Sequence, residues 1–584
     1  MPYDIIVGRD ASDLKKFGKK GLVYLGRGYV KMGQYTSLSN PIYMDVARSH
    51  VVLVAGKRGC LEGDTLVFTD KGYKTIKDFN QKNDKILSFD KNKKEFEWEN
   101  AELLKYPISK ENLLKIEFED GRSITLTKEH PLLAISSVNR SKLLTLMWMK
   151  AEDFNVGDKT LSIGESFDDL IPLSITKIEK VDNIKEVYDL SVDKNHSFIA
   201  NGIISHNSGK SYTLGVVAEE ISCLPEEVKE NIASIIFDTM GIYWTMKYPN
   251  DKEKELLAES GMKPKKTPSN VIIPYGFVED YEKRGILFDE TFALNPADIK
   301  IEDWLLTFSL RLTEPVGVII ERTLGKLQEK GRFDIDDIIE SIRKDEETEQ
   351  EVKNAAIGLF EAAKEWKIFA SKEQKATETK DLVKAGVTTI LDISMYSSIG
   401  TFNVRALVVG LVIRKIFTER MLARKAEEIQ AVEHGFEYLT FKTKREMPLV
   451  WFFIDEMHEF LPHDYKTSAT DAIVQLLREG RQPGLSLAMA TQQPGGLRRD
   501  ALTQSDIVIS HRVTAQPDVE SLNYIMQSYL SGSIKRYLDE LPTLKGSALI
   551  LDDNSERIYP MRMRPRFTWH GGESPVAIKV EKKL

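Results

Sequence analysis

The sequence predicts an α/β protein, a parallel sheet flanked by helices, with an all-β domain inserted into it. Three observations carry that expectation. Strand-sized apolar runs, among them His50–Ala55, Ile235–Asp238, Leu449–Ile454 and Leu485–Ala490, alternate with segments of helical apolar spacing. Between residues 60 and 207 this gives way to two-residue alternation, as in Leu113-Leu-Lys-Ile-Glu-Phe-Glu and Ser123-Ile-Thr-Leu-Thr. After residue 207 the first pattern resumes, on a helix.

Composition narrows the class. A length of 584 residues leaves room for about three or four domain-sized units. No apolar run approaches the ~18 residues of a membrane span, and MPYDIIVGRD lacks the basic-then-apolar pattern of a signal peptide. The only cysteines are Cys60 and Cys223, too few for a disulfide framework or a CxxC metal site, and Cys223 is expected to be a buried apolar residue. A cytoplasmic protein without membrane contact is expected. Net charge is -8, of which the 21 basic and 26 acidic residues of 60–207 supply -5. A general basic field is therefore missing, and any nucleic-acid contact must be local.

The strand His50–Ala55 runs into Gly56-Lys57-Arg58-Gly59, the opening of a phosphate-binding loop that Cys60-Leu-Glu-Gly-Asp does not complete. The completion is Ser208-Gly209-Lys210-Ser211-Tyr212, at the head of an amphipathic helix. Joining Gly59 to Ser208 restores G-K-R-G-S-G-K-S, the full GxxxxGK[ST] pattern between strand and helix. In the joined loop, residues 56–59 and 208–212 would bind ATP, with backbone N–H groups and the helix N-terminus cradling its phosphates. Lys210 would reach the β- and γ-phosphates, and Ser211 would ligand Mg²⁺.

The intervening 148 residues end in groups able to cut and rejoin a backbone without a cofactor. Cys60 supplies a thiol at the upstream junction, His206-Asn207 close the segment, and Ser208 supplies a hydroxyl beyond it. The simpler alternative is an inert β-domain, but insertions settle in tolerant loop tips, and one retained inside a phosphate cradle would abolish nucleotide binding. Across its whole length the segment resembles inteins. Cys60-Leu-Glu-Gly-Asp-Thr resembles their first block, Thr127-Lys-Glu-His130 their TxxH block, Val187-Tyr-Asp189 through His196 their penultimate block, and His206-Asn207-Ser208 their terminal block. The resemblance implies a hedgehog–intein fold. It also implies that Thr127 and His130 hold and protonate the scissile amide, while Asp189 and His196 tune the thiol and the Asn207 cyclisation. No LAGLIDADG-like pair lies between His130 and Asp189, which marks a mini-intein; a decayed, non-splicing intein is the other alternative.

In the remaining 436 residues, Pro448–Ile454 ends in Asp455-Glu456, where the Asp would order the Mg²⁺ shell and the Glu would polarise the attacking water. Leu485–Ala490 runs into Thr491-Gln492, and Gln492 can sense the γ-phosphate. Arg481, in the turn before that strand, has the placing of a finger reaching a neighbouring subunit's nucleotide. Asp506–Ser510, leading to His511-Arg512, adds a strand, and His458 reads as a coupling residue beside the acids.

Together these resemble the HerA/FtsK superfamily of DNA-pumping ATPases, nearest its HerA branch. The matching residues are Asn40–Asp45, Asp238-Thr-Met-Gly241-Ile-Tyr243, Asp455-Glu456-Met-His458, Gly480-Arg481, Ala490-Thr-Gln492 and His511-Arg512. The resemblance implies a RecA-like core, a small N-terminal β-barrel and an inserted helical bundle. It also implies a homohexameric ring on double-stranded DNA, with a nuclease partner in end resection. The expected domains are an N-terminal β-domain (1–48), the core up to the split loop (49–59), the mini-intein (60–207), core again (208–257), a helical insertion (258–383), and the rest of the core with a C-terminal segment (384–584). Two other readings stay open: a ring motor that moves protein, and a scaffold that binds nucleotide without turnover.

Overall fold

The computed structural model describes residues 3–571 apart from 33–34, 57–60, 81–82, 91–94, 100, 108–112, 128–129, 139–143, 152–153, 164–169, 182–185, 193–196, 202, 207–209, 399–402, 435–444, 512, 514–515, 527–533 and 543–545. It divides into two compact units. One comprises residues 1–55, 210–510 and 541–571; the other holds 56–209 together with 511–540.

The first unit is built on one sheet. In chain order its strands are β1 (Ile5–Val7), β2 (Leu22–Met32), β3 (Tyr35–Asp45), β4 (Val51–Ala55), β5 (Ile232–Asp238), β6 (Ser269–Pro274), β7 (Glu290–Phe292), β8 (Thr388–Asp392), β9 (Leu449–Ile454), β10 (Leu485–Thr491), β11 (Ile507–Ser510), β12 (Ser547–Asp552) and β13 (Arg557–Met563). Their order across the sheet is β1-β3-β2-β13-β12-β11-β4-β10-β9-β5-β8-β6-β7. From β11 to β7 every neighbouring pair is parallel. Strands β4, β5, β8 and β10 are buried along their whole length, as expected of a parallel sheet covered on both faces.

The principal helices are α1 (Ala11–Phe17), α2 (Lys210–Ser222), α3 (Ile301–Thr307), α4 (Pro315–Lys330), α5 (Ile335–Arg343), α6 (Gln350–Lys364), α7 (Val404–His434) and α8 (Thr470–Glu479). Helix α2 packs against β2, β4, β5 and β10. No helix among the described residues is long and apolar enough to cross a membrane.

Four expectations need correction. Residues 5–45 do not close into a small barrel among the described residues. They extend the main sheet in open order, because β2 pairs antiparallel with β13 from the far end of the chain, Gly26 facing Met563. The segment 258–383 is not purely helical either. It contributes β6 and β7 to the sheet edge, and its helices from α3 onward surround a cluster in which the Trp304 and Phe360 rings lie 5.2 Å apart. Cys223 is exposed, because it lies just past the last residue of α2. Residues 511–540, expected in the core, group with the second unit, since the helices 516–526 and 534–539 form between β11 and β12 without adding a strand.

The second unit is all-β within residues 61–206, apart from short turns of helix. Its strands pair antiparallel throughout, as the two-residue alternation requires. Its core gathers Leu61, Val67, Ile116, Ile124, Leu126, Leu132, Phe198 and Ile203, all fully buried.

Candidate functional site

In the first unit, parallel register brings the candidate residues to the carboxyl edge of the sheet, where open α/β sheets place ligands. Ala55 faces Thr491 of β10 and Ser510 of β11, Ile454 faces Met489, and Asp238 faces Asp392. Asp455, Glu456 and Gln492 follow directly on these strand ends. Lys210 opens α2 and is buried. Ser211, beside it, hydrogen-bonds the Asp455 carboxylate. Burial and the adjoining Glu456 push the Asp455 carboxyl up, while Ser211 and the Lys210 charge pull it down.

Glu456 takes a left-handed backbone (φ 48°), and its N–H donates to Asp455 Oδ1 at 2.9 Å. Its Oε1 accepts from Gln492 Nε2 at 2.6 Å, and its Oε2 lies 3.5 Å from His458 Nδ1. Thr491 Oγ1 lies 3.4 Å from the same His458 nitrogen. The side chains of Glu456, Gln492 and His458 thus form one cluster at the end of β9 and β10. A hydroxyl and a carboxylate as neighbours are hard oxygen donors and suit Mg²⁺.

Two expected residues stand apart from it. Arg481 precedes β10, so it lies at the amino edge of the sheet. It is 3.5 Å from Asp506, whose carboxylate also contacts His50 Nδ1 (2.6 Å) and accepts from the Val51 N–H (2.7 Å). Its side chain is 57% exposed, so within one chain it reaches no part of the cluster. The Tyr212 hydroxyl accepts from the Arg566 N–H (2.6 Å) and donates to Glu253 (2.9 Å); it is turned toward the C-terminal segment.

The hold of that segment on α2 was not legible in the sequence. The Glu219 carboxylate of α2, fully buried, accepts from Arg566 Nε (2.9 Å), Arg564 Nη1 (3.1 Å), the Thr568 hydroxyl, and the N–H groups of Phe567 and Thr568 (both 3.2 Å). The available signal was a charged residue at an apolar helix position, in Val-Val-Ala-Glu219. Gly215, one turn back, is needed for the same contact, because a Cβ there would lie 2.5 Å from Arg566 Nη1.

Beside the cluster, the Asp238 carboxyl is raised to about 7 by burial and by the Asp392 carboxyl facing it. Asp392 is raised too, chiefly by burial, while it accepts from Tyr281 (2.8 Å) and Ser394 (2.6 Å). Arg405 of α7 ties the neighbouring loops together, donating to the Thr239 carbonyl (2.7 Å) and to Glu459 (3.2 Å).

In the second unit, strand Leu61–Glu62 begins one residue after Cys60 in the chain. It sits between strand Ser123–Thr127, with Leu61 facing Leu126, and strand Glu186–Val192, with Leu61 facing Tyr188. Antiparallel register therefore sets Thr127 and Asp189 each one step beyond Leu61's partner, on the side toward the upstream junction. Gly63 has no room for a side chain, since a Cβ would lie 2.7 Å from the Tyr188 ring. The chain turns tightly after Thr127, with the His130 N–H donating to the Thr127 carbonyl at 2.9 Å, and both residues are buried. It then enters strand Pro131–Val138, whose Leu132 faces Ser205, next to His206. The Thr127–His130 turn thus spans from the first strand of the segment to its last. Lys57, Arg58, Gly59, Cys60, His196, Asn207, Ser208 and Gly209 lie outside the described residues, and Asp189 and His206 are described as strand residues only.

Two family models match. Residues 66–207 match the intein splicing domain, and residues 208–416 match the central domain of helicase HerA. Among curated proteins, the DNA double-strand break repair helicase HerA of Pyrococcus furiosus is 25% identical over 180 residues, 29% of this chain. The chain spans about a third of that relative's length, 31%. Among solved structures, a DnaB intein from Synechocystis sp. PCC 6803 is 22% identical, covering 26% of this chain and 99% of its own, with TM-score 0.22. The DnaX mini intein from Spirulina platensis is 26% identical, covering 25% and 99%, with TM-score 0.21.

A parallel sheet with lysine, serine and paired acids at its carboxyl edge, continued by the chain both before and after an all-β segment, defines an α/β fold interrupted by a second domain. The chain is thus similar to helicase HerA after residue 207, and the segment that precedes this match is similar to an intein splicing domain.

Proposed function

We propose that the chain is a precursor that excises residues 60–207 and joins Gly59 to Ser208, yielding an ATP-driven translocase of double-stranded DNA. The observation that carries this reading is the sheet. Strand β4, ending at Ala55, and helix α2, starting at Lys210, belong to one unit, while what separates them in the chain belongs to another.

Splicing would run in four balanced steps. The Cys60 thiol attacks the Gly59 carbonyl, so the peptide bond becomes a thioester and the Cys60 amine is freed. The Ser208 hydroxyl attacks that thioester, returning the thiol and leaving a branched ester. The Asn207 side-chain nitrogen attacks its own main-chain carbonyl, breaking the Asn207–Ser208 bond and releasing the segment with a terminal succinimide. The freed Ser208 amine then takes the acyl group from its own oxygen. Thr127 and His130, held by their turn between the segment's first and last strands, would polarise and protonate the scissile amide.

In the joined loop, residues 56–59 and 208–211 would hold the phosphates of ATP, and Ser211 with Asp455 would hold Mg²⁺. When bound, the ion neutralises phosphate charge. Glu456 would orient and deprotonate the attacking water, with Gln492 beside it reporting the γ-phosphate. Arg481, exposed at the opposite edge, would act on a neighbouring subunit of a homohexamer, with a nuclease as partner in end processing.

Intact mass of the freshly expressed product tests the first half. A 436-residue host and a 148-residue fragment are expected. A Cys60→Ala, Asn207→Ala variant should give only the 584-residue chain. A single full-length species from the unaltered sequence would refute self-excision. The second half is tested by ATP turnover of the spliced product, which duplex DNA should stimulate; indifference to DNA would favour a motor that moves protein. Glu456→Gln should lower turnover by about 10²-fold or more. Equal rates would remove Glu456 from the chemistry.

A further inference from the structure

We propose that Tyr243 is a positioning residue for the Mg²⁺-binding pair, fixing Ser211 and Asp455 relative to each other; this rests on the reading of those two residues given above. The two lie on elements far apart in the chain, α2 and the end of β9. Their mutual placement decides whether a hydroxyl and a carboxylate can share one small octahedral ion.

The Tyr243 hydroxyl donates to the Ser211 carbonyl at 3.1 Å and lies 3.5 Å from Asp455 Oδ2. Asp455 Oδ1 is held separately by the Glu456 N–H. Both carboxylate oxygens and the first turn of α2 are therefore tied into one arrangement, with the phenol at its centre. The ring is fully buried, so solvent does not compete for its proton.

How Tyr243 reaches this position is read from β5 outward. The chain folds back over Asp238, whose carboxylate accepts from the N–H groups of Tyr243 (2.8 Å), Ile242 (3.1 Å) and Met240 (3.3 Å). Gly241 makes the turn possible: its φ is +66°, and a Cβ there would lie 2.9 Å from Ser394 Oγ. The loop is thus capped by a buried carboxylate and aims one aromatic across the strand ends. A phenylalanine would fill the same volume, so packing alone gives no reason for the hydroxyl. Its two neighbours are the residues assigned to the ion.

The test is nucleotide binding by the spliced product, measured with a fluorescent ADP analogue in Mg²⁺ and in EDTA. Tyr243→Phe is expected to weaken binding in Mg²⁺ about fivefold, the worth of one hydrogen bond. Binding in EDTA and the unfolding midpoint should hardly change. An equal loss in both buffers would make Tyr243 a packing residue and overturn the proposal, as would binding unchanged in Mg²⁺. If the unaltered protein itself gains nothing from Mg²⁺, the assignment of Ser211 and Asp455 fails first, and the proposal falls with it.

Discussion

Glu219→Gln is expected to destabilise the first unit by about 3–5 kcal/mol, the usual cost of removing one partner from a buried ion pair. Glu219, Arg564 and Arg566 have no measurable side-chain exposure. Gln keeps the shape of the side chain but removes its charge and turns one accepting oxygen into an NH2 donor, leaving two guanidinium groups in the interior facing an amide. The carboxylate also accepts two backbone N–H groups and the Thr568 hydroxyl, so little of the network can regroup around a neutral acceptor. Urea unfolding of the spliced product, variant against parent, measures the difference. A change below about 1 kcal/mol would mean that the arginines find other partners and that the C-terminal segment is only loosely held.

The second large effect concerns the inserted unit. His130→Ala should slow cleavage at the upstream junction by roughly 10²–10⁴-fold, the range contributed by a positioned proton donor. The precursor should accumulate at its full mass. His130 ends the turn from Thr127 and precedes the strand whose Leu132 faces Ser205. A proton donor there stands between strands that lead in the chain to both junctions. A time course of intact mass after induction reads the rate directly. Splicing at the parental rate would show that His130 is a core residue whose burial serves packing alone.

Much of this was legible because it is local. A strand followed by a small-residue loop and a helix is written in consecutive residues, as are paired acids after an apolar run. Lys210, Ser211, Asp455, Glu456 and Gln492 were all found in this way, and the structure brings them to one edge. The alternation of the inserted segment needed only a period of two. What escaped depends on distant pairing. Nothing near Leu22–Met32 announces that its partner strand lies past residue 556, so an independent barrel was the natural expectation. Strands β6 and β7 are short and lie within a charged, mostly helical stretch. Glu219 meets its arginines across about 345 residues. Arg481 was placed by its position in a turn, and a turn does not say which edge of a sheet it occupies until the strand direction is known.

The chain joins the first unit on both sides of the inserted segment, and each side is anchored independently. Strand β4 is held between β10 and β11, and helix α2 is held by four strands and by the C-terminal segment; none of these contacts passes through the interrupted loop. For the proposed splicing the host fold would act as a splint: it keeps β4 and α2 in one body whether or not the linker between them is continuous. A chain cut within the inserted unit would leave its flanks clamped in place, so their union stays a first-order event, independent of protein concentration.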